Sequence, residues 1–343
     1  MSGGSGTRLW PLSTTARPKQ FHSLGAPRSM IEETALRFAG EHDDVVFLSP
    51  VVIAGAAHRD LVVELLAQAG VTPSLLVFEP EGRNTAATAA LAALVAAEID
   101  PEAYMLLVPA DHLVTKPGAL VDAIRAAAAV VADRIVTFGI KPTGPETGYG
   151  YILQGEPISA GVHGVAEFKE KPELPEANRY FRDGGYSWNS GMFFFSPQLL
   201  LQEFSIAGAD IRDGSHEALR RAVRRGNEIH IDAATFATVR NEAVDRAVME
   251  KTSRAAVAPC DIGWADVGSW AELWRLSDKD SNGNSVSGSV TLLDGMNNLV
   301  LGNGVHVSAI GVSDLIVVAS GNSVLIMPRS RAQDVKKVIP GQG

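Results

Sequence analysis

The residues best suited to chemistry stand at the start of the chain, where residues 2–8 read Ser-Gly-Gly-Ser-Gly-Thr-Arg. Glycines let a backbone approach a ligand closely, and the free N–H groups of such a loop can hold an anion. Arg8 and Lys19 add full positive charges beside the loop. Loop dipoles together with two cations predict a polyphosphate site. The loop residues of this predicted site are Gly3, Gly4, Ser5, Gly6 and Thr7.

This loop differs from the two common phosphate signatures. A P-loop places Lys-Ser/Thr after its last glycine, whereas Thr7-Arg8 follows Gly6 here. The dinucleotide fingerprint requires glycine or alanine where this chain has Leu9. A flexible tail or a tag remnant would also be rich in Gly and Ser, but such segments rarely continue into Trp10 and Leu12.

Two aspartates are candidate metal ligands. Asp111 follows an apolar run, in Val-Pro-Ala-Asp-His, and Asp266 lies in Trp-Ala-Asp-Val-Gly-Ser-Trp. A carboxylate just beyond a buried strand is well placed to hold Mg²⁺, which takes one or two protein carboxylates plus substrate phosphates. Each aspartate alone is explained equally well as a cap or turn residue. His112 is explained as a loop residue.

Further polar residues follow other apolar runs. Residues 83–85, Arg-Asn-Thr, open an alanine-rich helix, which Asn84 or Thr85 would cap. Residues 139–151 hold two prolines and four glycines, which is typical of an ordered loop. Glu170 and Lys171 precede Pro172, and both reach one ligand only if that proline ends and bends the strand. Asn189 precedes an aromatic strand, and its amide suits hydroxyl recognition.

Alternation of short apolar runs with alanine-rich stretches predicts an α/β fold whose sheet is mostly parallel and covered on both faces. Ligands of such sheets lie beyond the carboxyl ends of the strands, where the polar residues above fall. We expect Pro117 at a first helical position with Thr115 as its cap. The predicted strands are 45–49, 74–78, 105–108, 135–140 and 192–195, and the predicted helices are 55–69, 85–99 and 117–132.

The residue pattern changes near residue 276. After it, glycines separate short apolar runs, and no helical pattern follows until the last dozen residues. This predicts a large domain over residues 1–275 and a small all-β domain over residues 276–343. A hydrophobic content of 46% in 343 residues provides a substantial core. A net charge of −9 argues against general nucleic-acid binding. One cysteine, no signal pattern and no run long enough to span a bilayer favour a cytoplasmic protein away from membranes.

Taken in order, these motifs resemble the sugar-nucleotide pyrophosphorylases over residues 2 to about 270. Trp10 and the run Pro18-Lys19-Gln20-Phe21 resemble the bacterial mannose-1-phosphate guanylyltransferases. The resemblance implies a Rossmann-like nucleotidyltransferase domain and a C-terminal domain similar to a left-handed β-helix, which sequence alone does not distinguish from hairpins. It implies synthesis of GDP-mannose and pyrophosphate from GTP and α-D-mannose 1-phosphate with Mg²⁺.

The resemblance also implies roles for individual residues. Arg8 and Lys19 would neutralise the triphosphate and the leaving group, and Asp111 and Asp266 would hold Mg²⁺. Nucleotide binding would fall to residues 3–8, Arg83, Asn84, Thr85 and Asp111. Binding of the sugar phosphate would fall to Gly148, Tyr149, Gly150, Glu170, Lys171 and Asn189. Where Arg246 stands, the family commonly has tyrosine.

Two other functions stay open at this point: a related nucleotidyltransferase for another base or sugar, and a regulatory subunit that binds a sugar nucleotide without catalysis. The oligomeric state is also open, a homodimer included. The resembled family has a buried apolar strand before the glycines, whereas here Met1 precedes the loop directly. We expect that strand to lie upstream of Met1, and a chain without it to have an unpaired position in its central sheet.

Overall fold

The computed structural model describes residues 1, 7–42 and 44–339, so Gly3, Gly4, Ser5 and Gly6 of the predicted phosphate loop lie outside the described residues. The α-helices are α1 (Met30–Arg37), α2 (Arg59–Gln68), α3 (Asn84–Ile99), α4 (Pro117–Ala127), α5 (Leu174–Asp183), α6 (Pro197–Ala207), α7 (Ala209–Arg220), α8 (Ala233–Phe236) and α9 (Trp270–Leu276). Short 3-10 helices cover Thr7–Leu9, Lys19–Phe21, Ala56–His58 and Arg329–Val338, and a π-helix covers Asp245–Met249.

The strands before residue 285 are β1 (Gly40–His42), β2 (Val45–Phe47), β3 (Val51–Gly55), β4 (Leu75–Glu79), β5 (Met105–Leu107), β6 (Leu113–Val114), β7 (Ile135–Ile140), β8 (Tyr151–Ser159), β9 (Val162–Lys169), β10 (Tyr186–Phe195), β11 (Val223–Arg225), β12 (Glu228–His230), β13 (Ala255–Pro259) and β14 (Trp264–Ala265). The later ones are β15 (Ser285–Leu293), β16 (Leu299–Ile310), β17 (Leu315–Ser320) and β18 (Ser323–Pro328).

The large domain contains two main sheets. Six strands pair in the order β5-β10-β7-β13-β9-β8, and four pair in the order β11-β12-β4-β3. Pairing is parallel between β13 and β7 and on both sides of β4, but β10 runs antiparallel to β5, β7 and β8. The α/β class is confirmed, while the expectation of a mostly parallel sheet needs correction. A strand buried on both faces reads as one apolar run whichever way it points, so the run at 192–195 did not reveal the direction of β10.

The antiparallel direction of β10 positions its first residues at the site. Trp188 lies opposite Ile140, and Asn189 lies opposite Gly139. The register then shifts before Phe193, which indicates a bulge, and Gly191 in this bulge has a φ of +70°. Bulges of this kind re-aim side chains near functional sites. The start of β10 therefore meets the carboxyl end of β7.

Helix boundaries differ from the predictions in α2 and α4. The helix predicted over 55–69 is α2 at Arg59–Gln68, preceded by the 3-10 helix Ala56–His58. α4 begins at Pro117 as expected, but its N-cap is Lys116, and the Thr115 hydroxyl instead lies 3.4 Å from the Gly263 carbonyl oxygen. The alanine-rich run favoured a helix to residue 132, whereas α4 ends at Ala127 because the chain continues as turns, with the Val130 N–H bonded to the Ala127 carbonyl. The strand β3 was not predicted, because its apolar residues directly precede a helix.

The large domain's two main sheets present facing edges. β5 pairs only with β10, and β3 pairs only with β4, among the residues that the structure describes. An apolar groove of about 920 Å³ lies between these edges.

The small domain is a four-stranded sheet with three parallel strands. β15 pairs parallel with β16, β16 pairs parallel with β17, and β18 closes the sheet antiparallel. Asn298 is fully buried there, donating to Asn284 Oδ1 at 3.0 Å and to the Val312 carbonyl at 2.9 Å. Parallel stacking with an internal asparagine supports successive coils rather than hairpins for the first three strands.

One hydrophobic cluster joins the small domain to the start of the chain. It packs Ile316 and Leu299 of the small sheet against Leu9, Leu12 and Trp270. The indole N–H of Trp270 donates to the Trp10 carbonyl at 2.9 Å. The small domain therefore supports the segments that carry Arg8 and Asp266. No helix among the described residues is long and apolar enough to cross a membrane.

Candidate active site

A cleft of about 550 Å³ opens at the carboxyl ends of β4, β5 and β7, beside the first residues of β10. Twelve of the residues predicted from sequence line it. They are Arg8, Arg83, Asn84, Thr85, Asp111, Gly148, Tyr149, Gly150, Glu170, Lys171, Asn189 and Asp266. The loops that follow separate strands thus meet at one site, as the sheet rule predicts.

Lys19 is buried and does not line the cleft, but it joins the two candidate metal ligands that line one end of it. Its Nζ lies 3.1 Å from Asp111 Oδ2 and 2.8 Å from Asp266 Oδ1, and it donates to the Asp266 carbonyl at 2.6 Å. Burial alone would lower the pKa of Lys19, but the two carboxylates outweigh it and raise that pKa. Lys19 therefore stays charged, and its charge holds the pKa of Asp266 below its usual range despite burial.

Two further side chains approach Asp266. Arg8 Nη2 lies 3.7 Å from Asp266 Oδ2, and its side chain is 38% exposed. His112 Nε2 lies 3.6 Å from Asp266 Oδ1. The indole N–H of Trp264 donates to His112 Nδ1 at 3.2 Å, which assigns the proton of a neutral imidazole to Nε2. Burial lowers the pKa of His112, which favours this neutral form. His112 lies in the loop between β5 and β6, as the sequence predicted, and its side chain also lines the cleft.

The opposite end of the cleft is built around Asn189. Its Nδ2 donates to Asp245 Oδ1 at 2.8 Å, while the Thr137 hydroxyl and the Gly191 N–H approach its Oδ1 at 2.8 and 3.1 Å. These contacts fix the orientation of the amide. Burial, and then the charge of Glu170, raise the pKa of Asp245 to about 7.

Glu170 and Lys171 reach the same end of the cleft. The sequence predicted this for a strand that ends and bends at Pro172. β9 ends at Lys169, and Lys171 has a φ of +48°. Glu170 is buried, its Oε1 pairs with Lys171 Nζ at 2.7 Å, and its backbone N–H donates to Glu250 Oε1 at 2.9 Å.

The glycine-rich loop after β7 closes one wall. A Cβ at Gly150 would meet Glu170 Oε2 at 2.8 Å and Asn189 Cβ at 3.2 Å, so this position requires glycine. Gly148 has open space around it. The Tyr149 ring packs edge-on against Trp188 and Trp264, both at 5.1 Å between centroids, and its hydroxyl donates to Glu272 Oε1 at 3.2 Å.

The segment before α3 lies on the rim of the cleft but does not cap the helix as predicted. The N-cap is Arg83, without a side-chain capping bond, because Asn84 has a φ of +62° and its Oδ1 accepts from the adjacent Thr85 N–H. Thr85 Oγ1 instead accepts from the Val244 N–H at 2.9 Å. The Arg83 guanidinium pairs with Glu81.

Two buried acids in the cleft were not singled out as ligand-binding residues from sequence. Glu79 ends β4, accepts from the Thr88 hydroxyl at 2.7 Å and has its pKa raised to about 7 by burial. Asp245 is the first residue of the π-helix Asp245–Met249. An acid at the end of an apolar run was the available signal for Glu79. Thr7 begins the first 3-10 helix, but its side chain lies outside the description.

The donor set at Asp111 and Asp266 fits Mg²⁺ bound together with substrate phosphates, and does not fit a metal held by protein alone. Within residues 1, 7–42 and 44–339, no group of three or more His, Cys, Asp or Glu side chains could hold a metal ion. Mg²⁺ commonly takes one or two protein carboxylates, and its other ligands are water and substrate phosphate.

Comparison with known families agrees with this geometry. Residues 1–283 match the nucleotidyl transferase family model, and residues 288–340 match the model of the MannoseP isomerase/GMP-like beta-helix domain. The chain belongs to the nucleotidyl transferase family. The resemblance to the mannose-1-phosphate guanylyltransferases and the enzyme class are confirmed, as is the small β domain of this nucleotidyltransferase.

Relatives of this nucleotidyltransferase cover nearly its whole length. A mannose-1-phosphate guanylyltransferase of Escherichia coli (strain K12) is 43% identical over 99% of this chain and 72% of its own. The xanthan biosynthesis protein XanB of Xanthomonas campestris (strain ATCC 33913) is 42% identical over 99% of this chain and 71% of its own. A Thermus thermophilus structure, named a mannose-1-phosphate geranyltransferase, superposes with a TM-score of 0.85 at 31% identity, covering 98% of this chain and 96% of that one.

Proposed function

We propose that this nucleotidyltransferase makes GDP-mannose and pyrophosphate from GTP and α-D-mannose 1-phosphate, with Mg²⁺, in the cytoplasm. The observation that carries the proposal is the convergence of Arg8, Lys19, Asp111 and Asp266 at one end of a cleft whose other end holds Asn189 and two acids. The naming of relatives as mannose-1-phosphate guanylyltransferases supports the choice of base and sugar.

The charge balance of the cleft favours a metal-dependent reaction. Among the residues that line it, Asp111, Glu170 and Asp266 match the cations Arg8, Arg83 and Lys171 in number, and Glu79 and Asp245, whose pKa values are raised to about 7, add only part of a negative charge each. A triphosphate would add more negative charge. Asp111 and Asp266 would hold Mg²⁺, and the bound ion would supply positive charge against the phosphates. Arg8 is half-exposed and weakly paired at 3.7 Å, so its guanidinium is free to turn toward a phosphate.

The sugar phosphate would enter at the other end. Lys171 would bind its phosphate, while Glu170 and the Asn189 amide would hydrogen-bond the sugar hydroxyls. A phosphate oxygen of the sugar would attack the α-phosphorus of GTP in line, and pyrophosphate would leave. No covalent enzyme intermediate is needed, because positioning and charge stabilisation are the main sources of rate in phosphoryl transfer.

Two measurements test this proposal against its rivals. Pyrophosphate release is measured for a panel of nucleoside triphosphates combined with several sugar 1-phosphates, and we expect GTP with mannose 1-phosphate to give the highest kcat/KM. A faster pair would replace the proposed substrates. Tight binding of GDP-mannose without pyrophosphate release for any pair would instead identify a regulatory subunit.

The metal assignment predicts the behaviour of Asp111→Asn. An amide keeps the shape of the side chain but removes a charge that Mg²⁺ requires, so we expect Mg²⁺-dependent turnover to fall by at least about 100-fold. Asp261→Asn is the matched control, because Asp261 is an exposed aspartate that pairs with Lys116. Near-normal turnover of the Asp111 variant would remove this residue from the proposed metal site.

A further inference from the structure

The turn that carries Asp266 has a strained backbone. Val267 is buried and has a φ of +51°, in the left-handed region that β-branched residues avoid. A Cβ at Gly268 would lie 3.1 Å from both Arg8 Nη2 and Asp266 Oδ2, so the turn lies directly against these two groups. Strained backbone persists only where surrounding contacts hold it. Residues 266–268, the Asp266 turn, therefore depend on their neighbours for their conformation.

Glu272 provides one of these contacts from the first turn of α9. Its Oε2 accepts from the Gly268 N–H at 2.8 Å, and its own N–H donates to Ser269 Oγ at 3.2 Å. This arrangement is similar to a capping box, in which a glutamate in the first helical turn reaches back to a backbone N–H. Hydrogen bonds that a carboxylate accepts are stronger than those between neutral groups. Glu272 therefore holds the Asp266 turn in place.

The second oxygen of the same carboxylate contacts the wall of the cleft. The Tyr149 hydroxyl donates to Glu272 Oε1 at 3.2 Å, between residues 123 positions apart. Burial, and then the charge of Glu272, raise the pKa of Tyr149, so the hydroxyl keeps its proton and remains a donor. A capping glutamate needs no such partner. The contact with Tyr149 therefore indicates a role beyond the stability of α9.

Glu272 connects two parts of the cleft without lining the cleft itself. Tyr149 and Asp266 both line it, while Glu272 is not among the described residues that do. The Glu272 side chain is only 17% exposed, and the exposed guanidinium of Arg275 approaches its Oε1 only to 3.9 Å. Glu272 can thus act on a bound ligand only through Tyr149 and the Asp266 turn.

We propose that Glu272 is a positioning residue that fixes Tyr149 relative to the Asp266 turn, and so keeps the sugar-phosphate end and the metal end of the cleft in one geometry. This inference rests on the proposed function for the roles of the two ends. In-line attack requires close alignment of the two substrates, and small displacements of the groups that position them cost rate. Loss of Glu272 should therefore raise the KM for mannose 1-phosphate through Tyr149 and lower kcat through the Asp266 turn.

A double-mutant cycle tests this link in the active enzyme. It uses Glu272→Ala, Tyr149→Phe and the chain that carries both substitutions, and kcat and the KM for mannose 1-phosphate are measured for each. We expect Glu272→Ala to raise this KM about fivefold, the effect of one lost hydrogen bond, and to raise it less than about twofold when Tyr149→Phe is already present. An equal effect in both backgrounds would overturn the proposal.

Two further variants separate position from charge and from the stability of α9. Glu272→Gln keeps an oxygen for the Gly268 N–H and an amide group for the Tyr149 hydroxyl, so we expect its KM to stay within about twofold of that of the unsubstituted chain. A glutamine variant that behaves like Glu272→Ala would overturn the positioning role. Arg275→Gln is the matched control, because it changes an exposed side chain of the same helix and should leave both constants unaltered.

Amide hydrogen exchange of Gly268 tests the link without any substrate. The Gly268 N–H donates to Glu272, so Tyr149→Phe should alter its exchange only if Glu272 connects the two residues. We expect Tyr149→Phe to speed this exchange at least about threefold and to leave the amides of β7 unchanged. Unchanged Gly268 exchange would overturn the link even in a fully active enzyme. Faster Gly268 exchange in a chain that releases pyrophosphate from no substrate pair would support the link and contradict the proposed function.

Discussion

Lys19 illustrates at the level of one residue how the site combines stability with chemistry. A buried lysine is costly unless its charge is compensated, and here two carboxylates and a carbonyl oxygen surround Nζ. The same arrangement holds the two carboxylates close together and lowers the pKa of Asp266. One side chain therefore holds the proposed metal ligands in place and supplies charge beside them.

We predict that Lys19→Met lowers turnover by at least about 100-fold, because it removes a preorganised charge. It should also lower the free energy of unfolding by about 1–3 kcal/mol, since both acids lose a partner while staying about one-fifth exposed. Turnover assays and urea unfolding measure the two effects. Lys116→Met is the control, because that lysine is exposed and should change stability by less than about 0.5 kcal/mol. Normal turnover of the Lys19 variant would contradict the assigned role.

Asp245 gives a prediction about pH. Its raised pKa, about 7, means that the folded protein binds a proton between about pH 4 and 7 that the unfolded chain has lost. Its contribution is thus fully present at low pH and is lost as the pH rises through 7. Asp245→Asn imitates the protonated form, so it should stabilise the protein by about 1 kcal/mol or more at pH 8 and by much less at pH 5. Urea unfolding at both pH values measures this.

Glu79→Gln is a useful comparison for that experiment. Glu79 is also a buried acid with a pKa raised to about 7, but it lies beside Thr88 rather than Glu170. Both substitutions should therefore raise the free energy of unfolding more at pH 8 than at pH 5. If neither substitution alters the pH dependence of the free energy of unfolding, other titratable groups cause that dependence.

At the scale of elements, the site depends on how loops meet at the ends of strands. The glycine-rich loop after β7 approaches Glu170 and Asn189 so closely that a methyl group at residue 150 would collide with both. Close backbone approach explains this glycine, whereas its neighbour at residue 148 has open space.

We predict that Gly150→Ala raises the KM for the sugar phosphate at least about tenfold and costs about 1–3 kcal/mol of stability, because Glu170 must move. Gly144→Ala is the control in the same loop, where a Cβ would meet nothing within 4 Å. Steady-state kinetics and thermal unfolding separate the two variants. Equal KM values would mean that Glu170 moves freely or does not touch the sugar.

Sequence predicted the strand ends well and the pairing directions poorly. β7 was predicted at its observed bounds and α3 within one residue, because long apolar runs bounded by polar residues reveal their limits. The antiparallel β10 was not predicted, since direction depends on tertiary pairing. Asp111 and Asp266 were predicted as site residues because each stands in a short motif that is visible in the sequence. Asp245 owes its place to a bulge in β10 and to a π-helix, and neither has a local signature.

On the scale of the whole molecule, the small β domain is a structural support for the site. Ile316 is fully buried in the cluster that packs on Leu9 and Trp270, the neighbours of Arg8 and Asp266 along the chain. Weakening this contact should therefore affect binding at a distance.

We predict that Ile316→Ala lowers the free energy of unfolding by about 2–5 kcal/mol through cavity formation and raises the KM for GTP. Ile326→Ala is the matched control: Ile326 lies on the next strand, is 64% exposed and should change stability by less than about 0.5 kcal/mol. Chemical unfolding and initial-rate kinetics test both. A destabilised Ile316 variant with an unchanged KM would limit the small domain to a role in stability.

The contact between Lys19 and Asp266 joins residues 247 positions apart. A ribosome that adds about 5–20 residues per second needs about 12–50 s to pass from one to the other. During that interval the nascent lysine has no acidic partner from the later segment. The proposed catalytic centre consequently assembles only after residue 266 has been added, and a chain released before that residue carries both main sheets but no complete site.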